Sequence, residues 1–121
     1  VITCPTAAEL RSALDAFDRR DDPSDGRHAF LARVADNARA LLAREAALGE
    51  TAEAEETARL SDLLGADSNF DELNLRLCEA LRSGAVAPRD PALLAHLRAS
   101  AIARIAIDQP GYCGLEALLD A

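Results

Sequence analysis

The run FLARVADNARALLARE, from Phe30 to Glu45, constrains the fold more than any other part of the chain. Wound at about 100° per residue, it stacks Leu31, Val34, Ala38, Leu41 and Leu42 on one face, the period of an amphipathic helix. The predicted helix extends from about Arg27 to Leu48, roughly 33 Å, long enough to be the spine of a small bundle. One residue breaks the pattern. Glu45 falls inside the apolar stripe, between Leu41 and Leu48. A carboxylate left alone among leucines is costly, so Glu45 needs either a cationic partner or a chemical role.

The remaining sequence offers little that competes with helix. Its apolar supply is mostly Ala and Leu, which lose little entropy on entering a helix. It has only three Phe and one Tyr, with no Trp or Met, and Val occurs only at positions 1, 34 and 86, so strand-forming material is scarce. At 121 residues the chain is read as a single helical domain, with a core over 6–109 and a C-terminal tail over 110–121. The expected fold is all-α: a compact bundle of about five helices plus a short C-terminal helix.

Local signals set the expected boundaries. Thr6 followed by Glu9 forms a capping box for a first helix that carries Leu10, Ala13, Leu14 and Phe17. The acidic loop Asp21 to Gly26 separates it from the second helix, which is predicted to stop at Gly49, the residue type suited to a left-handed C-terminal position. A third helix is then expected from about Thr51. Glu53, Glu55 and Glu56 would lie in its solvated first turns, where the helix dipole favours negative charge. Ser68 or Asn69 caps a fourth helix with Phe70, Leu73, Leu77 and Leu81 inward and Leu75 on the opposite side. Asp90–Pro91 opens a fifth, to about Ile107, because aspartate caps and proline needs no amide partner there. Leu93, Leu94, Leu97 and Ala101 form one of its faces, while Ile102, Ile105 and Ile107 spread around the cylinder. A helix apolar on several sides is either central to its own bundle or buried in a partner. Leu115, Leu118 and Leu119 indicate a short last helix.

Charge narrows the partners. Thirteen basic residues, all Arg, face twenty-one acidic ones, for a formal charge of −8. Such a surface repels phosphate backbones and anionic lipid, so neither nucleic acid nor membrane is an expected partner. No apolar run approaches the ~20 residues that span a bilayer, and the first residues show no basic-then-apolar signal pattern. A cytoplasmic location is therefore expected, with Cys4, Cys78 and Cys113 as reduced thiols and Cys78 partly buried.

Catalytic patterns are missing from the sequence. His28 and His96 are far apart and read as surface or helix-end residues, without the spacing of a metal site. No nucleophile elbow or glycine-rich phosphate loop is present, so neither enzyme activity nor a cofactor is expected. What remains is the buried-charge pattern. On the fifth helix Arg104 projects near Leu97 and Ala101, and Arg98 lies beside Leu94, Ile102 and Ile105. Either guanidinium could answer Glu45 bidentately and fix the register of two central helices. The rival reading is a pocket with Glu45 as a base of raised pKa.

The segments PTAAELRSAL, HAFLARVADNARALLARE and DPALLAHLRASAIARIAIDQPGY together resemble a bacterial family of short helical proteins classed as a domain of unknown function. The likeness runs from Pro5 to about Tyr112 and is weakest in the first loop and after Tyr112. Genes of that family lie beside aminoglycoside-phosphotransferase-like kinases and acyl-CoA dehydrogenases. The resemblance implies an accessory protein of a pathway handling acyl or hydroxyacyl compounds, and it transfers no catalytic residues. The expected partner is the phosphotransferase-like kinase, met through Leu75, Ile102, Ile105, Leu115, Leu118 and Leu119. The alternatives are a homodimer using the same surfaces, or a binder of a small acyl or carboxylate compound held by Arg98 or Arg104.

Overall fold

A computed structural model describes residues 4–20 and 22–120. Five helices occupy them: α1 (Ala7–Arg20), α2 (His28–Leu64), α3 (Phe70–Ser83), α4 (Pro91–Asp108) and α5 (Gly114–Asp120). The chain is all-α, as its Ala- and Leu-rich composition predicts. No helix among the described residues is long and apolar enough to cross a membrane. The three cysteines are free, and Cys78 is exposed where partial burial was expected.

Two units make up the chain, Val1–Gly49 and Glu50–Ala121, and α2 contributes to both. In the first, the capping box forms as predicted: the Thr6 amide donates to Glu9 Oε2 at 2.7 Å, and the Glu9 amide donates to Thr6 Oγ1 at 3.2 Å. Leu10, Leu14, Ala16 and Phe17 are half-buried, and Arg39 of α2 donates to Asp18 of α1. In the loop, Ser24 donates its amide and hydroxyl to Asp22 Oδ1; Asp21 lies outside the described residues.

The second unit holds the larger apolar core. Leu60, Leu73, Leu77 and Leu93 are buried together, with Leu63, Leu64, Phe70, Leu81 and Val86 packed around them. Local chemistry aims these faces. Asn69 caps α3 by accepting from the Glu72 amide at 2.9 Å, and Gly84 ends it with φ 77°. Asp90 Oδ1 accepts from the amides of Ala92 and Leu93, and Pro91 sits in the first turn of α4.

The main departure from expectation is the length of α2. The second and third predicted helices are one, and it runs through Gly49; the left-handed glycines are Gly65 (φ 62°) and Gly84. A glycine inside a helix costs about 1 kcal/mol relative to alanine, too little to stop one. No proline follows, and the next residues are mostly Ala, Glu, Leu and Arg. Gly49 is also buried under its neighbour: a Cβ there would lie 3.1 Å from Glu45 Cδ. The buried side of the early part of α2 is rotated as well. Ala35 is buried, while Val34, expected inward, is 49% exposed.

Candidate functional site

The spacing of buried residues on α2 and α4 within the second unit brings polar groups together. On α2, Ala52, Glu56 and Leu60 are buried at four-residue intervals, so they share one face. On α4, Leu93, His96, Ser100 and Ile107 are buried at intervals of three, four and seven. Leu60 belongs to the same apolar cluster as Leu93, and Arg104 Nη2 lies 3.4 Å from Glu56 Oε1. The contacts therefore advance along α4 as they retreat along α2. The two segments run in opposite senses, with leucines at one end of the contact and an ion pair further along.

This layer corrects two expectations. Glu56 is 5% exposed rather than in a solvated helix start, because α2 does not begin at Thr51. His96 is 4% exposed and in the middle of α4, because it lies one turn after Leu93 on the same face. Its Nδ1 and the Ser100 hydroxyl are buried without hydrogen-bond partners among the described residues, as is Arg59 Nε. Burial holds the His96 imidazole below its ordinary pKa; Glu56 pulls it back up, and Arg59 and Arg104 push it further down. Ser100, His96 and Glu56 thus share a layer without forming a nucleophile and base, since the hydroxyl is not hydrogen-bonded to the imidazole.

The expected charge network is distributed differently from the sequence reading. Arg104 pairs with Glu56. Arg98 donates to the Leu118 carbonyl, tying α4 to α5, so both guanidiniums considered as carboxylate clamps are bonded within the chain. Glu45, in the first unit, is half-buried with its carboxyl over Gly49.

Two surfaces accompany this layer. In the first unit an open groove of about 460 Å³ is lined by Ala13, Phe17 and Leu31 together with Arg20, Asp22 and His28. Asp22 is held below the usual carboxylate range by the Ser24 hydroxyl and amide, and nearby Asp25 by the amide and side chain of Arg27. These carboxylates serve the loop's own turns. In the second unit the outer side of α4 carries Leu94 and Leu97, 50% and 49% exposed, although the sequence grouped them with buried Leu93. Leu75 and Leu119 are also exposed, as a contact role requires, whereas Ile102, Ile105, Leu115 and Leu118 are half-buried. Among the described residues no group of three or more His, Cys, Asp or Glu could hold a metal ion.

A family model described as a domain of unknown function (DUF6285) matches residues 23–112, and the chain belongs to that family. The matched region contains α2, α3 and α4 and leaves out α1, so the PTAAELRSAL segment lies outside it. No curated protein and no solved structure matches the chain.

Proposed function

We propose that this DUF6285 member is a non-catalytic accessory protein that docks on a partner protein through the outer face of α4. One observation carries the reading: α4 has two apolar faces, and only one is covered. Leu93 and Ile107 are almost fully buried, whereas Leu94 and Leu97, a turn apart, expose half of their surface. Each leucine that leaves water contributes about 1.5–3 kcal/mol when its burial is complete, so two half-exposed leucines hold back a useful fraction of that. Leu75 and Leu119 supply further exposed apolar surface on the same unit. The partner is the phosphotransferase-like kinase to which the family resemblance points, in the cytoplasm.

Co-expression of the chain with that kinase, followed by size-exclusion chromatography at micromolar concentration, tests the reading. The expected result is co-elution that Leu94→Glu with Leu97→Glu abolishes while leaving the helical circular dichroism unchanged. Two folded proteins that elute separately would refute it. A chain that alone runs at twice its mass, and returns to monomer with the same double substitution, would assign the face to self-association instead.

A further inference from the structure

Where α4 packs on the Glu50–Leu64 part of α2, four ionisable side chains meet, and docking through the outer face of α4 uses none of them. His96 is the most enclosed, 4% exposed, and its Nδ1 has no hydrogen-bond partner among the described residues. The charged groups that act on it are Glu56 and Arg59 from α2 and Arg104 from its own helix. Two of these are cations. The one anion is shared with Arg104, 3.4 Å away. A neutral imidazole fits such surroundings. An imidazolium would carry a second N–H donor and a full charge into a site with no acceptor at Nδ1 and two guanidiniums acting on it.

We propose that the α2–α4 packing of the Glu50–Ala121 unit is an acid-operated joint, in which proton uptake by His96 beside Glu56, Arg59 and Arg104 loosens α4 from α2. The direction of the effect follows from linkage. The folded imidazole is harder to protonate than that of the unfolded chain, so between the two pKa values the unfolded chain binds more protons. The stability that a neutral His96 contributes is complete above the ordinary histidine pKa, about 6.5, and is lost progressively as the pH falls below it. Most carboxylates titrate lower, near 4, which leaves a window between about pH 7.5 and 5 in which histidine dominates. The only other histidine is His28, in the first unit.

The full chain can be tested by urea denaturation at pH 7.5, 6.5 and 5.5, together with an NMR titration of its two imidazoles, assigned with His28→Gln. The expected result is a His96 resonance that titrates below the ordinary range. The urea midpoint should fall with acid in the wild type and stay level in His96→Gln over the same window. Arg59→Gln removes a repelling cation and should move the His96 titration upward; Glu56→Gln removes the attracting anion and should move it downward. A His96 that titrates at or above the ordinary value would overturn the proposal. So would equal acid losses in wild type and His96→Gln, or Arg59→Gln and Glu56→Gln shifts of the same sign. If His96→Gln does not fold, the wild-type titration and the two opposed charge variants decide the matter.

Discussion

The Glu56–Arg104 pair is lopsided, and that asymmetry predicts which substitution hurts. The Glu56 side chain is 7% exposed and that of Arg104 is 47% exposed, with 3.4 Å between them. Breaking a fully buried pair costs about 3–5 kcal/mol, and an exposed pair contributes about 0–1 kcal/mol. Here the cost depends on which charge is stranded. Arg104→Met leaves a buried carboxylate without its guanidinium and should cost about 1–3 kcal/mol. Glu56→Gln leaves a guanidinium already half in water, beside a side chain of the same shape, and should cost less than about 1 kcal/mol. With a urea slope near 2 kcal/mol per molar, a 2 kcal/mol loss moves the midpoint by about 1 M. The double variant Glu56→Met/Arg104→Met strands neither charge and should recover most of the Arg104→Met loss. Far-UV circular dichroism in urea at pH 7.5, where His96 is neutral, measures all three. Glu56→Gln as damaging as Arg104→Met, or a double variant that loses the sum of the two, would refute the reasoning.

Gly49→Ala should raise the thermal midpoint, with a gain of about 0.5–1 kcal/mol from helix propensity, since the new Cβ meets only the flexible end of Glu45 at 3.1 Å. Had Gly49 been a left-handed cap, the same change would lower it, so the sign of the shift checks the continuity of α2. Leu73→Ala removes a fully buried side chain and should cost about 2–5 kcal/mol in urea denaturation. Leu75→Ala, at a position 66% exposed, should stay within about 0.5 kcal/mol of wild type. Asp90→Ala removes the acceptor for two α4 amides and should cost about 1 kcal/mol by the same measurement.

Legibility in the sequence followed the range of the contacts. The Thr6–Glu9 box, the Asn69 cap and the Asp90–Pro91 start could be read because each is completed within a few residues. The end of a helix at glycine is different. A glycine by itself does not say whether the chain turns left-handed: Gly49, followed by helix-forming residues, lies inside a helix, and Gly65, followed by Asp67, Ser68 and Asn69, ends one. That boundary hid Glu56. Assigned to a new helix, it belonged to solvated first turns. On a continuous α2 it lies 11 residues after Glu45, about three turns, and therefore on the same stripe. The sequence reading assigned the arginine partner to Glu45 on this helix. The formed pair uses the carboxylate that the false boundary concealed.

The faces of α4 were illegible for another reason. Leu93 and Leu94 are adjacent, hence about 100° apart on a helix, and each begins a stripe of its own. Hydrophobicity alone favours the stripe of Leu94, Leu97 and Ala101, because the stripe of Leu93 carries His96 and Ser100. The protein chooses the other: it buries a histidine and a serine and leaves two leucines half in water. A helix selected only to cover its own core would place leucines at 96 and 100 and polar residues at 94 and 97. The inversion makes sense if the outer stripe is covered by a second protein while the inner stripe keeps a titratable group.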